Sequence, residues 1–230
     1  SVMEGRLLAK FKSPQDIYDA DEKCLREISG ITKRQIVSIL QARSFDRVEK
    51  ILEDCEKKKI YVLTKADIRY PKKAKQVKDA PSVLYYQGSF TLEEGILKPT
   101  VGIVGARRCT QEAKQCCIEL TRQCIKEQEI VISGMAKGID AEGHKGALET
   151  DTPTFAVLGS GADVCYPASN RRLYQRILEK GGGILTELPP GFSPQSWAFP
   201  ARNRIISGLS DAVLVVEAKE KSGSLITAEF

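Results

Sequence analysis

From residue 100 onward the chain repeats one pattern. Short apolar runs rich in β-branched residues, at 101–104, 130–133, 154–158, 184–186 and 212–216, alternate with helical segments at 111–127, 141–149, 170–180, 202–209 and from 224. A strand that is apolar throughout has to be covered on both faces, and the intervening helices supply the cover. The pattern therefore predicts βαβ units and an α/β fold built on a mostly parallel, doubly wound sheet. Right-handed crossovers bring the carboxyl ends of its strands to one rim, where open α/β sheets bind ligands.

The residues that follow each strand indicate what the rim can hold. The first strand ends Gly105-Ala106-Arg107-Arg108, with Thr110 placed to cap the next helix, whose N-terminus attracts anions. The dinucleotide fingerprint G-x-G-x-x-G is missing, and arginines fill the loop instead. They either neutralise a bound anion or pair with acidic neighbours on the surface. The second strand leads to Gly134-Met-Ala-Lys137-Gly138-Ile-Asp140, two glycines flanking a lysine in a pattern suited to cradle phosphate. Asp140 reads as a helix cap. His144, the one histidine of the chain, reads as a packing residue, because no oriented partner marks it as an acid or base. The third strand ends Gly159-Ser-Gly161 and runs on to Tyr166-Pro-Ala-Ser-Asn170-Arg171-Arg172, with Asn170 placed to cap a helix or bind phosphate. The last ends Glu217-Ala-Lys219, before Ser222-Gly223-Ser224 at another predicted helix start.

One stretch concentrates recognition chemistry: Phe199-Pro-Ala-Arg202-Asn203-Arg204-Ile-Ile-Ser207-Gly208-Leu209. Guanidinium forks match phosphate oxygens, and a neighbouring ring stacks on a base. Trp197 and Phe199 lie two apart, so an extended loop puts both rings on one side; Trp197 reads as core filler and Phe199 as the stacking ring. Rings and arginines together suit single-stranded nucleic acid, bound with little sequence preference.

The N-terminal part reads differently. Residues 1–56 form a helical domain, with Ser13-Pro14 as N-cap and first helical residue and Thr32 with Gln35 as a capping box. The turn Ile28-Ser-Gly30-Ile-Thr32 resembles a helix–hairpin–helix (SAM-like) module, although Thr32 stands where its second glycine belongs; a purely structural bundle is the reading preferred. Residues 57–230 form the second domain. Between 57 and 78 nine Lys/Arg face Asp67 alone, and a solvated surface is preferred over a polyanion contact. Residues 60–63 and 83–86 are strand candidates. Seven cysteines without a C-x-x-C pair argue against a disulfide framework or a zinc site. No apolar run approaches the roughly 20 residues of a membrane span and no signal-peptide core opens the chain, so a cytoplasmic location is expected. The chain stops about two turns after Ser222, where a doubly wound sheet continues to another strand, so it is read as a piece truncated at the C-terminus.

Taken in order, these blocks resemble the signature of the DNA-processing protein A family (DprA, also called Smf) from about residue 60 to the end. Residues 1–56 are similar to its variable N-terminal helical domain. The resemblance implies an extended Rossmann-like fold without cofactor or metal, and a homodimer that binds single-stranded DNA in a basic pocket. It also implies protection of incoming strands in natural transformation and loading of the RecA recombinase onto them, with no enzymatic step. Carried onto this chain, it implies that Arg107 and Arg204 grip phosphates and Phe199 stacks on a base. Gly105, Gly134 and Gly161 offer close backbone contacts, and Ser222, Gly223 and Ser224 close the pocket. Arg108, Lys137, Asn170, Arg202, Asn203 and Lys219 complete the expected nucleic-acid-binding set. Ser196 stands where some members carry a lysine, a contact that Lys137 or Lys219 can replace.

The competing reading is an enzyme similar to the nucleotide phosphoribohydrolases, whose sheet is related. Their P-G-G-x-G-T-x-x-E run is matched loosely by Ser222-Gly-Ser-Leu-Ile-Thr227-Ala-Glu229, with the Thr–Glu spacing one residue short.

Overall fold

A computed structural model of the protein describes residues 2–43, 45–77, 79–88, 99–126, 130–220 and 222–229. Two compact units emerge, Ser1–Glu53 and Asp54–Phe230. The first contains α1 (Val2–Phe11), α2 (Pro14–Asp19), α3 (Glu22–Arg26), α4 (Lys33–Gln41) and the greater part of α5 (Phe45–Lys57). Its small core gathers Leu7, Ala20, Leu25, Ile28 and Ile36. Ser13 caps α2 by accepting from the Asp16 N–H, with Pro14 in the first turn. Thr32 and Gln35 close a reciprocal capping box on α4. That box bears on the hairpin reading: the Thr32 N–H donates to Gln35 Oε1 at 2.9 Å, and the Ile31 N–H to the Ile28 carbonyl at 3.2 Å. The Ile31 and Thr32 amides are thus used within the unit.

The second unit is a seven-stranded sheet flanked by helices. Its strands are β1 (Tyr61–Thr64), β2 (Val83–Gly88), β3 (Thr100–Gly105), β4 (Ile130–Ser133), β5 (Thr154–Val157), β6 (Gly183–Thr186) and β7 (Ala212–Val216). They lie in the order β1-β2-β6-β5-β4-β3-β7. The five from β3 onward run parallel, while β2 pairs antiparallel with both β1 and β6. The helices are α6 (Lys72–Gln76), α7 (Gln111–Lys126), α8 (Ile139–Glu149), α9 (Arg171–Glu179), α10 (Ala198–Leu209) and α11 (Gly223–Glu229).

Strand alternation builds two cores. Val104, Ile132, Phe155, Val157 and Leu185 point to one face and meet Ile205, Ile206 and Leu209 of α10 and Ala74 of α6. Val101, Ile103 and Val131 point to the other and meet Cys117 of α7 with Ile139 and Ala147 of α8. Burial pushes the Cys117 thiol up to about 12, which keeps it a protonated packing group. Because the chain leaves β3 for β4 on one side and β7 lies on its other side, the sheet has a topological switch point beyond the ends of β3 and β7.

Three local expectations differ from what is observed. Residues 72–76 of the basic stretch, read only as solvated surface, form a helix. Helix α10 starts at Ala198, not near 202, because proline is tolerated in a first turn, where its missing N–H has no intrahelical partner. Trp197 is therefore the helix N-cap rather than part of an extended loop with Phe199, and at 57% exposure it is not core filler. Of the basic run, Lys58, Arg69 and Lys73 pair with Asp163, Asp67 and Asp211; Lys78 lies outside the described residues.

His144 is fully buried on α8. Thr154 Oγ1 gives its proton to the Val131 carbonyl at 2.7 Å, so at 2.8 Å it accepts from His144 Nδ1–H. The imidazole is held neutral, with Nε2 buried and without a hydrogen-bond partner among the described residues. Burial, with the Arg202 charge adding to it, depresses its pKa from 6.5 to about 3. The unfolded chain thus takes the proton first, and His144 contributes stability that is complete above the unfolded value and is lost as pH falls towards about 3. Urea titrations should show His144→Gln losing less stability than the parent on acidification from pH 6 to pH 4, by up to about 1.4 kcal/mol per pH unit. Parallel pH profiles for the two proteins would exclude this burial effect.

Candidate nucleic-acid interface

A cavity of about 360 Å³ opens at the switch point. The end of β3 and the loop after it line it with Gly105, Arg107 and Arg108, and the loop after β7 with Lys219 and Ser222, followed by Gly223 and Ser224 at the start of α11. Helix α10 contributes Phe199, Pro200, Arg202 and Asn203, while Ala136 comes from the β4–α8 connection, Asp140 from the first turn of α8 and Thr227 from α11.

Several contacts hold these loops together. Glu217, in the left-handed region at φ 52°, accepts three times: its carbonyl takes the Ala106 N–H at 2.8 Å, and Oε2 takes the Thr110 N–H at 2.9 Å and the Thr110 hydroxyl at 2.8 Å. Those Thr110 bonds hold its carboxyl below the usual range. Thr110 Oγ1 in turn accepts from Ala113 N at the start of α7. Asn203 Nδ2 donates to the Gly223 carbonyl at 3.0 Å, pinning the serine-rich loop to α10, and the Ser222 and Ser224 hydroxyls lie 2.8 Å apart. Gly105 is obligatory for packing, since a Cβ there would lie 2.7 Å from the Ile139 side chain and strike the Val216 carbonyl.

The cations of the pocket are of two kinds. Arg107 and Arg108 are exposed and Lys219 is exposed; among the described residues none of the three makes an ion pair. The Arg107 guanidinium stands 5.7 Å from the centre of the Phe199 ring. Arg202 is the opposite case. Only 5% exposed, it donates to the carbonyls of Gly134 and Val157 at the ends of β4 and β5. Burial lowers its pKa to about 10, with Asp140 opposing, so the guanidinium stays charged at neutral pH. Asp140, the one carboxylate among the described residues that line the cavity, is raised by burial while Arg202 and the Ala136 and Gly134 amides hold it down. A permanent buried positive charge thus underlies a mouth of free cations, an arrangement suited to an anion with a stackable ring.

The remaining candidate residues have other surroundings. Gly134 has no open face, because a Cβ on it would run into the Arg202 guanidinium. The Gly161 N–H is taken by the Phe192 carbonyl at 2.9 Å. Asn170 does not cap α9; its Nδ2 donates to the Met135 carbonyl at 2.9 Å and bridges two loops of the rim. Lys137 is exposed but does not line the cavity. Arg204 departs furthest from the expected phosphate grip. One nitrogen of its fork donates to Glu187 Oε1 at 2.8 Å and another to Oε2, while Nε donates to the Asp79 carbonyl at 2.9 Å. Two residues apart on a helix, Arg202 and Arg204 face different directions, and neither fork is free. The sequence reading also left out Ala136 and Thr227, which line the cavity, and Gly159, which seats Phe199: a Cβ there would come within 2.9 Å of Phe199 Cδ1. The Gly159-Ser-Gly161 pair carried that last signal.

A Rossmann-like sheet with a cationic, ring-bearing cavity at its switch point, and with arginines where a dinucleotide loop has glycines, defines a doubly wound α/β protein outside the dinucleotide-binding class. Residues 61–230 match the family model described as DNA recombination-mediator protein A, and the chain belongs to that family. Protein Smf of Synechocystis is 38% identical over 230 residues, covering 100% of this chain and 58% of the relative. DNA processing protein DprA of Streptococcus pneumoniae is 42% identical over 160 residues, 70% of this chain and 55% of the relative. The chain therefore spans little more than half the length of these curated relatives. The X-ray structure of Streptococcus pneumoniae DprA superposes with a TM-score of 0.78 at 32% identity, covering 97% of this chain and 77% of that one. A structure describing the single-stranded DNA binding mode of DNA processing protein A from Helicobacter pylori matches with a TM-score of 0.65 at 34% identity, over 74% of each chain. Among the described residues, no helix is long and apolar enough to cross a membrane. In the enzyme-like alternative, Thr227 donates towards the Gly223 carbonyl at 3.4 Å, and the side chain of Glu229 lies outside the described residues.

Removing the Arg204 fork strands a half-buried carboxylate. Arg204→Ala should cost about 2–3 kcal/mol in urea unfolding, and Glu187→Ala combined with it should cost less than the sum of the single changes. An unchanged unfolding midpoint together with weakened oligonucleotide binding would return Arg204 to the role of a phosphate contact.

Proposed function

We propose that the protein binds single-stranded DNA in the switch-point cavity without acting on it as an enzyme. In this reading Arg107, Arg108 and Lys219 neutralise phosphates, Arg202 supplies a fixed positive floor, and Phe199 stacks on a base while Ser222 and Ser224 offer hydroxyls to the backbone. The observation that carries the reading is the pairing of unneutralised arginines with a half-buried ring: Arg107 lies over Phe199 and has no carboxylate partner among the described residues. Neither group reads base edges, so binding is to be sequence-tolerant.

The wider role extends the same reading. The family description names a recombination mediator, and a relative's structure concerns single-stranded DNA. Both support a role in recombination on single strands; as the wider part of this proposal, the protein is a cytoplasmic homodimer that shields incoming strands during natural transformation and passes them to the RecA recombinase.

Salt dependence separates the two kinds of contact. Arg107→Ala should weaken binding of every oligonucleotide alike and reduce the log–log salt slope by about 0.7. Phe199→Ala should cost about 1–3 kcal/mol and leave that slope nearly unchanged. Equal affinity and slope in the parent and in an Arg107→Ala, Arg108→Ala double variant would remove the cavity from the reading.

A further inference from the structure

Beyond the cavity the same rim carries two more rings, and both are open to solvent. Tyr166 is 49% exposed and Trp197 57%. The Tyr166 ring lies 5.4 Å from that of Phe199, tilted by 33°. Trp197 meets Phe192 edge-on at 6.0 Å and 78°. Each ring leaves about half of its surface in water, where an exposed apolar face is unfavourably hydrated. Here two of them share one functional edge.

Their order along that edge follows from the sheet. Arg107 extends from β3. Phe199 sits over the end of β5, against Gly159, with Tyr166 beside it. The Phe192 carbonyl accepts the Gly161 N–H, and Phe192 follows β6, so the Phe192–Trp197 pair stands at the ends of β5 and β6. With strands ordered β6-β5-β4-β3-β7, the ring surfaces run outward from the cavity towards β6. Strands are spaced by about 4.8 Å, so this path is several nucleotide contacts long rather than one. Exposed Arg171, which opens α9 five residues after Tyr166, has no ion-pair partner among the described residues and adds positive charge on that side.

We infer that a bound strand leaves the cavity along this edge, with Tyr166 stacking the base next to the one on Phe199 and Trp197 stacking a further base. The inference rests on the single-stranded DNA reading and adds a direction and a minimum length to it. Aromatic surfaces in series over a cationic edge are a general solution for unpaired strands, because every base offers a stackable face.

Trp197 is the only tryptophan of the chain, so its emission reports this outer position directly. An oligothymidylate series, from the dinucleotide upward, should leave the emission unchanged while only the cavity is filled and quench it once the strand is long enough to reach β6. For long oligonucleotides, Tyr166→Ala and Trp197→Ala should each weaken binding by about 5- to 100-fold, with the salt slope preserved. For the shortest species that binds, Trp197→Ala should have no effect. Saturating long DNA that leaves the emission unchanged, while Phe199→Ala still weakens binding, overturns the path and spares the cavity. Full quenching by the dinucleotide also overturns it, since Trp197 would then belong to the first site. A parent protein that binds no oligonucleotide of any length removes the inference and the functional reading together.

Discussion

The buried Arg202 guanidinium is the contact on which the site depends. Where parallel strands end and diverge, their last carbonyls lose ladder partners, and an unpaired carbonyl in a buried place is costly. Arg202 supplies donors to two of them, Gly134 and Val157, and so fastens α10 to the carboxyl edge of β4 and β5. The same placement explains Gly134, which has no room for a side chain, and keeps Asp140 within the field of a positive charge. Because α10 is fixed there, Phe199 is presented beside Arg107, and Asn203 can tether the loop that carries Ser222 to Ser224. Structure and electrostatics are joined in one residue, whose charge also contributes to the potential of the cavity floor.

The sheet order does the rest of the positioning. The cavity forms where β3 and β7 are neighbours but the chain has turned away on either side, so two loops diverge and leave a space. Glu217 keeps that space defined. Its strained backbone and its bonds to Ala106 and Thr110 join the ends of both strands. Free cations are then confined to the mouth, where solvent keeps them charged, and the paired guanidinium of Arg204 lies elsewhere, in contact with Glu187.

Much of this was legible in the chain. The βαβ alternation, the caps at Ser13 and Thr32 and the packing role of His144 all follow from local chemistry, since each depends on neighbours within a few residues or on a type of side chain that has one stable setting. Arg107, Arg108, Phe199, Lys219 and the Ser222 loop were recognisable as parts of one rim because parallel strands leave no other place for their following loops. The failures have a common cause. Arg202, Asn203 and Arg204 looked equivalent in sequence, but helical geometry turns them in different directions, and only one of the three is a tether to the serine loop. Trp197 looked like core because tryptophan usually is, and the prolines around it disguised a helix start.

The sequence alone determined the class of sheet, the rim on which the cavity opens and the residue types gathered there, because hydrophobic period and turn chemistry are local properties. Only the tertiary structure decided which arginines are free and which are committed, since that depends on whether a carbonyl or carboxylate from a distant segment occupies the fork. Arg107 meets a ring, Arg202 two strand ends and Arg204 a glutamate seventeen positions away in the chain. Hydrogen bonds form at about 3 Å and charges are screened over about 10 Å of space, and separation along the chain says nothing about those distances.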